Sequence, residues 1–288
     1  MINRSTTECS MGMTRHVLFI ALISLPSLYG AERAEARPLV PHRAVYDLSL
    51  SAVSDTSDIE SLTGRWVFDF KGSACEGYTA ESRLVMRFET VDGPRLLDRR
   101  VTSFEAGDGS TLKFESQSYA DQELEEEVEG TAHRDAEGIT VEYGKPDQVE
   151  VEFGSAVFPT AQVFEVLEKA KAGVRFYESH VFDGTEMVDD ATAVSVVLGK
   201  PKPLKGPTTK LDVLGPLAED NFLPVTMAYF EPGAAREGEH VSDYDVSFKM
   251  HESGVQSDLV IRYEEYSMAA NLVELSLRDV DPACTQEN

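Results

Sequence analysis

The chain has 288 residues, of which 42% are hydrophobic, and its 51 acidic residues outnumber its 26 basic residues to give a formal charge of −25. This length allows one large β domain or two smaller domains, since single domains commonly contain ~100–200 residues and barrels reach ~250. The 14 Phe and 10 Tyr residues exclude intrinsic disorder, which the charge alone would suggest. The negative charge also argues against binding to nucleic acids or anionic membrane surfaces, because their phosphate groups would be repelled.

Residues 1–36 have the features of a secretory signal peptide. Arg15 and His16 precede an apolar run from Val17 to Leu25, and Ala34-Glu35-Ala36 places small residues at the positions that a signal peptidase reads. The apolar run is shorter than the ~20 residues of a membrane-spanning helix. We therefore expect export and cleavage, which would leave residues 37–288 without a membrane-spanning segment.

The cysteines favour a disulfide. Export removes Cys9 and leaves Cys75 and Cys284. In an oxidising compartment, two remaining cysteines are most stable as a bridge. The alternative, a nucleophilic thiol, needs a base that only the fold could bring close. A bridge would tie the first third of the exported chain to its last residues, and on the chain-entropy model it could stabilise the fold by up to roughly 5 kcal/mol.

Alternating apolar and polar residues predict a long series of strands, each with one buried and one solvent-exposed face. Turn signals such as Gly107-Asp108-Gly109 separate them, which indicates an antiparallel meander. The predicted strands are Ala44–Leu50, Leu62–Phe70, Tyr78–Phe88, Leu112–Tyr119, Leu124–Ala132, Ile139–Tyr143, Val149–Phe153, Val174–Phe182, Ala191–Leu198, Phe222–Phe230, Tyr244–Met250, Val255–Tyr263 and Leu272–Val280.

One segment has helical periodicity instead. Thr160 can cap a helix at about 160–172, and Gly173 stands at its stop position. The segment Gly199–Pro207 is a predicted loop or hinge. No composition shift marks a domain boundary, so we expect residues 37–288 to form a single all-β domain. A sheet of a dozen or more strands curls or closes on itself, and the inserted helix would plug or cover the interior of this barrel.

No motif predicts a catalytic residue, a metal site or a cofactor site. The four residues Glu123, Glu125, Glu127 and Glu129 alternate with Leu124 and Val128, which indicates a solvated strand face and not a calcium loop. The histidines lack the spacing of a zinc site. Neither a Gly-x-Ser-x-Gly elbow nor a phosphate-binding glycine loop is present. These absences argue against an enzyme.

Inward-facing aromatic residues could either fill the core or line a cavity. Most should be ordinary core, since aromatic side chains dominate burial. A barrel of more than ~8 strands, however, encloses more space than its side chains readily fill, and a lipid or peptide could occupy the remainder. The candidate cavity-lining residues are Trp66, Phe68, Phe70, Tyr78, Phe248 and Tyr263.

Several segments, taken in order, resemble the EipB family of alphaproteobacterial cell-envelope integrity proteins. The matching blocks extend over essentially the whole exported chain, and the Cys75 block with the terminal Cys284 is the most specific of them. The blocks are His42–Leu50, Gly64–Phe70 leading to Cys75–Tyr78, Asp121–Glu123 through Val128–Ala132, Phe158–Thr160, Phe182–Gly184, Ser247–Phe248 to Gly254–Val255, and Cys284.

The resemblance implies a periplasmic protein with a long antiparallel β-spiral, an open and oval barrel closed by a Cys75–Cys284 disulfide. It also implies a role in envelope integrity under stress and a functional link to a periplasmic tetratricopeptide-repeat protein. The family has no defined catalytic residues to carry over. The spiral is similar in shape to lipoprotein-carrier folds, which is an analogy of fold only.

Residues and resemblance together favour a non-enzymatic periplasmic protein that supports the envelope as a scaffold or binding protein. One alternative is a lipid or lipoprotein carrier, which predicts an apolar cavity of ~300–1,000 Å³. Another is a cell-wall hydrolase, which predicts two carboxylates about 5–10 Å apart in one cleft.

Overall fold

The structure, a computed structural model, describes residues 39–204, 211–230 and 241–279. All of the described residues belong to one compact unit. The predicted signal peptide and Cys284 lie outside the described residues. Within these ranges, none of the helices combines the length and the apolar character that a membrane crossing requires.

The described residues form fifteen strands, one long helix and two short helical turns. The strands are β1 (His42–Val53), β2 (Ile59–Ser73), β3 (Gly77–Thr90), β4 (Gly93–Glu105), β5 (Thr111–Ala120), β6 (Glu123–Arg134), β7 (Ile139–Lys145), β8 (Val149–Phe153), β9 (Phe176–Val181), β10 (Thr192–Leu198), β11 (Lys202–Pro203), β12 (Asn221–Phe230), β13 (Tyr244–Met250), β14 (Gln256–Tyr263) and β15 (Tyr266–Leu277). The helices are α1 (Pro159–Lys171) and α2 (Leu211–Leu214), and a 3₁₀ turn follows at Gly215–Leu217.

The strands form one antiparallel sheet in the order β8-β7-β6-β5-β4-β3-β2-β1-β15-β14-β13-β12-β10-β9, with β11 beside β12. The pairing of β1 with β15 joins the first and last strands of the chain. Strands β8 and β9 end this order, so within the described ranges the sheet is an open spiral and not a closed barrel. The predicted all-β meander with an inserted helix is therefore confirmed.

Strand β4 is absent from the predicted series. Its sequence contains Pro94 near the start and charged residues at the neighbouring positions Arg99 and Arg100, which hides the alternation. The residues from Leu96 to Arg99 are all half-buried whichever way they point, and regular alternation of burial begins only after them. Continuous pairing with β3 and β5 holds this segment in the sheet, so tertiary context overrides a weak local pattern.

A register shift in β6 corrects one prediction about the acidic face. Leu124 is 49% exposed instead of lying on a buried face. The pairing of β5 with β6 slips by one residue between Ser118 and Tyr119. Because side chains alternate with a period of two, one extra residue moves the start of a strand to the opposite face. Val128, beyond the bulge, is fully buried as predicted.

The larger of the two main cores lies between the curved sheet and α1. It contains inward-facing residues of β1 to β3, of β10 and of β12 to β15, together with Val166 of the helix. Tyr46 stacks on Trp66 with ring centroids 4.9 Å apart, and its hydroxyl donates a hydrogen bond to the carbonyl oxygen of Gln256 at 2.8 Å. The helix thus occupies the interior of the spiral, as expected.

A second core holds the outer strands β5 to β7 against the segment that precedes α1 and the segment that follows β9. Phe182 lies at its centre, with its ring 5.5 Å from that of Phe114 and 5.4 Å from that of Phe153. Phe158, immediately before α1, packs in the same cluster. Two aromatic cores therefore stabilise the two parts of one spiral.

Candidate functional site

The candidate site is an apolar pocket of about 200 Å³ between α1 and the sheet. Strands β12, β13 and β14 form one wall, and β2 contributes Trp66. From the helix, Gln162 and Val163 face this wall. The side chains on the sheet side include Met227, Tyr229, Val246, Phe248, Met250 and Leu259.

Two of the six predicted cavity-lining residues, Trp66 and Phe248, line this pocket. Phe68 and Phe70 stack with ring centroids 6.3 Å apart, and Phe70 continues the stack to Tyr78 at 5.4 Å. The ring of Phe164 closes this second group against Tyr78. The helix therefore fills the space over the end of β2, whereas the pocket lies beside Trp66.

Tyr263, the last predicted cavity-lining residue, belongs instead to a row of four tyrosines across neighbouring strands. The ring centroids of Tyr229 and Tyr244 are 4.6 Å apart, those of Tyr244 and Tyr263 are 5.6 Å apart, and those of Tyr263 and Tyr266 are 4.9 Å apart. Burial raises the pKa of all four phenols. At physiological pH these side chains are neutral hydrogen-bond donors.

The polar groups of the pocket are few. The lining residues carry no ionisable side chain other than the phenol of Tyr229. The Tyr229 hydroxyl donates to the sulfur of Met227 at 3.4 Å, and a thioether is a weak acceptor. Gln162 was not among the predicted site residues, although it lies four positions before Val166 and hence on the same helix face.

A buried carboxylate positions α1. Glu105, at the end of β4, accepts hydrogen bonds from the backbone N–H groups of Thr160 at 2.7 Å and Ala161 at 2.9 Å. The predicted cap at Thr160 is wrong, because the cap position is Phe158 and no local side chain caps the helix. An acceptor from a distant strand replaces it, a contact that the helix sequence could not reveal. Burial raises the pKa of Glu105, although the hydrogen bonds oppose this effect.

We expect Glu105→Gln to remove a pH dependence from the stability of the fold. Because the folded-state pKa lies above the ordinary 4.5, the folded protein binds this proton more tightly than the unfolded chain does. The wild-type free energy of unfolding should therefore decrease as pH rises from 4.5 through the folded-state pKa. Urea denaturation across this pH range should show the wild type losing stability relative to the variant.

A matched control for this experiment is Glu168→Gln, which changes an exposed carboxylate on the same helix. Its unfolding free energy should follow that of the wild type at every pH. If the free energies of unfolding of the wild type and Glu105→Gln changed in parallel with pH, the role assigned to Glu105 would be contradicted.

A Ser–His–Asp group lies in and beside the turn between β13 and β14. The Nδ1 atom of His251 lies 2.7 Å from the hydroxyl of Ser253 and accepts the Ser253 backbone N–H at 3.1 Å. Its Nε2–H therefore points to the carboxylate of Asp220 at 3.2 Å. In serine hydrolases the serine contacts Nε2 and the aspartate contacts Nδ1. Here the order is reversed, and Ser253 is only 5% exposed, which makes this a turn-stabilising network.

Replacing Ser253 with Ala should lower the free energy of unfolding by about 0.5–1.5 kcal/mol, the usual contribution of one hydrogen bond. Hydrolysis of a p-nitrophenyl ester should equal the buffer rate for both the wild type and the variant. Urea denaturation and the ester assay measure the two effects separately. Ester hydrolysis that requires Ser253 would identify the group as catalytic.

The acidic residues of β6 are surface residues. The ammonium group of Lys145 lies 3.1 Å from the carboxylate of Glu127 and 3.3 Å from that of Glu129. Gln117 also donates to Glu127 at 2.9 Å. Among the described residues, no cluster of three or more His, Cys, Asp or Glu side chains could hold a metal ion.

A second hollow of about 230 Å³ lies at the ends of β2, β3 and β4. Asp58 and Asp92 line it together with Arg95, and both carboxylates are exposed. A general-acid carboxyl requires a less solvated environment, so this hollow lacks the setting that the hydrolase alternative predicts.

Comparison with known proteins gives consistent matches across the chain. The family described as EipB-like matches residues 33–279. The cell envelope integrity protein EipB of Brucella abortus (strain 2308) is 38% identical over 250 residues, which cover 86% of this chain and 88% of the relative. A crystal structure of a β-barrel-like protein of a domain of unknown function, also from Brucella abortus, has 37% identity and a TM-score of 0.79. That match covers 84% of this chain and 99% of the other.

The family match extends from before β1 to beyond the end of β15, and the solved relative shares the overall fold. Both similarities agree with the blocks of sequence that resembled this family. The chain therefore belongs to the EipB-like family.

Proposed function

We propose that this chain is a non-enzymatic periplasmic protein that supports the integrity of the cell envelope, acting as a scaffold or binding protein. The observation that carries the proposal is its 38% identity, over most of both chains, to a cell envelope integrity protein. The open spiral with an apolar pocket adds support, because a concave and mostly apolar site is the usual form of a small-molecule binding site.

Periplasmic location is supported by the sequence of residues 1–36, which combines a basic start, a short apolar run and a small-residue cleavage motif. The pair Cys75 and Cys284 supports it further, since paired thiols oxidise in that compartment. Cleavage after residue 36 would release the domain that contains all of the described strands.

A non-enzymatic role is supported by the environment of the candidate catalytic groups. The Ser253 hydroxyl is buried in a turn, and the apolar pocket has no carboxylate in its lining. The two carboxylates at the second hollow are solvent-exposed. None of these arrangements combines an accessible nucleophile or acid with a base in one cleft.

The pocket volume argues against transport of a whole lipid. About 200 Å³ is below the ~300–1,000 Å³ of typical ligand sites. It exceeds the ~150 Å³ of an engineered cavity that holds one benzene molecule. The pocket thus suits a single ring or a short acyl group rather than a lipid with two full chains.

Deletion of the gene should make cells more sensitive to detergents and to antibiotics that act on the cell wall. Wild-type protein supplied from a plasmid should restore resistance, and a version lacking residues 1–36 should not, because it would not be exported. Unchanged sensitivity after deletion would refute the envelope role, and rescue by the version without the leader would refute the periplasmic location.

We also propose a protein partner, a periplasmic tetratricopeptide-repeat protein, on the basis of the family resemblance. Affinity purification from the periplasmic fraction, followed by mass spectrometry, should recover such a protein with the tagged wild-type chain. Recovery of the tagged chain alone under mild conditions would contradict this proposal.

A further inference from the structure

The pocket beside α1 contains a buried amide that its surroundings do not satisfy. Gln162 is only 9% exposed, and its Nε2 atom is buried without a hydrogen-bond partner among the described residues. Unsatisfied buried donors are costly and rare, so each one in a folded protein calls for an explanation. The amide lies in a pocket whose other helical lining residue is Val163.

A second hydrogen-bond donor in the same pocket, the hydroxyl of Tyr229, has only a weak acceptor. Tyr229 lines the pocket, and the acceptor of its hydroxyl is the thioether of Met227. Burial raises the pKa of Tyr229 and keeps the phenol protonated. The pocket therefore presents an amide donor from the helix and a phenol donor from the sheet, inside walls that are mostly apolar and also include the half-buried Gln256 of β14.

We propose that this pocket binds a neutral, mostly apolar group that carries a single hydrogen-bond acceptor oxygen, such as the ester carbonyl of an acyl chain. Gln162 donates to this oxygen, and the hydrocarbon portion contacts Met227, Val246 and Phe248. The inference rests on the binding role proposed above and specifies the chemistry of its ligand.

The neutral character of the ligand follows from the lining. The described lining residues include no Lys, Arg or His side chain that could pair with a carboxylate or phosphate. An unpaired charge is far more costly to bury than a carbonyl group, which needs only one donor. The volume of about 200 Å³ also exceeds that of a cavity that accepts benzene, so one ring with a short substituent fits.

Two probes of nearly equal shape test the hydrogen bond. Acetophenone carries a carbonyl where α-methylstyrene carries a CH₂ group, so the pair differs mainly in the acceptor oxygen. The purified, exported protein is labelled with ¹³C at its methionine methyl groups and titrated with each probe by NMR. Met227 and Met250 line the pocket and report binding, and the exposed Met187 serves as the internal reference.

We expect acetophenone to shift the Met227 and Met250 signals saturably and to bind about fivefold to tenfold more tightly than α-methylstyrene, the effect of one neutral hydrogen bond. Gln162→Met keeps the side-chain length and removes the donor. In this variant the preference for acetophenone should fall toward equal affinities, because the Tyr229 hydroxyl keeps its hydrogen bond to the sulfur of Met227. Equal affinities in the wild type, or a preference for acetophenone that survives Gln162→Met, would overturn the proposal.

Filling the pocket gives an independent test. Val246→Phe should abolish binding of both probes, whereas Val197→Phe, the same substitution at a 51% exposed position, should leave both affinities unchanged. Circular dichroism identifies variants that fold. Binding that persists in a folded Val246→Phe protein, or absence of probe binding to the wild type, would refute the proposal.

These measurements use purified protein and do not depend on the envelope assays. Failure of the probes to bind would refute the ligand class and leave the result of the deletion experiment intact. Unchanged sensitivity of the deletion strain would refute the envelope role and leave the measured affinities intact.

Discussion

Replacing Phe182 with Ala should lower the free energy of unfolding by about 3–5 kcal/mol, the usual cost of removing a buried aromatic side chain. Phe182 is 2% exposed and contacts the rings of Phe114, Phe153 and Phe158. The backbone of the neighbouring Gly184 lies directly against the ring of Phe114, since a Cβ atom at Gly184 would lie 2.3 Å from that ring. Phe182 thus belongs to a closely packed aromatic cluster, and its removal should leave a cavity.

Urea denaturation followed by circular dichroism measures this loss. Phe176→Ala is the matched control, because Phe176 lies on the adjacent strand with 58% of its surface exposed. Its effect should stay within about 0.5 kcal/mol. Hydrogen exchange should locate the weakening in β5 to β7, which pack on Phe182. Equal stability of the two variants would refute the second core as a unit that holds the outer strands.

Replacing Cys75 with Ser should cost about 2–5 kcal/mol, the range for loss of a native disulfide. The position of the last described residues supports a bridge between Cys75 and Cys284. The guanidinium of Arg278 donates to the Asp69 carboxylate at 2.8 Å, so the last described residues lie beside β2. Cys75 follows Asp69 by the same number of residues as Cys284 follows Arg278, and at ~3.3–3.6 Å per residue both segments have equal reach.

Thermal melting with and without a reductant tests the bridge. The wild type should lose stability on reduction and reach the level of Cys75→Ser, while the variant should not respond to the reductant. Ala74→Ser introduces the same residue at the neighbouring exposed position and should melt like the wild type. A wild-type melting temperature that is the same in both conditions would refute the disulfide.

Much of the fold could be predicted from the sequence because most strands bury one face and expose the other. Alternation in β1, β2 and β3 reflects that environment directly, and the helical periodicity at about 160–172 reflects a helix packed against a sheet. The start of β6 and the first half of β4 depart from the pattern. At Leu124 a bulge changes the face, and from Leu96 to Arg99 partial burial on both sides removes the contrast on which the prediction depends.

The candidate site was less accessible to sequence reasoning. Trp66 and Phe248 could be recognised as inward-facing aromatic residues, but the pattern treats Phe70 and Tyr78 in the same way. Only the position of α1 decides which of these rings is covered by Phe164 and which borders a cavity. Gln162 carries a weak signal, a polar residue on the apolar face of a helix.

The sequence by itself determined the class of fold, the family and the residues available for a disulfide, because these depend on local periodicity, motif order and residue identity. The tertiary structure alone decided the role of Glu105 as the acceptor at the start of α1, the burial of Ser253 and the pocket beside Gln162. Each of these depends on contacts between residues far apart in the chain, whose distances are set when the spiral packs around its helix.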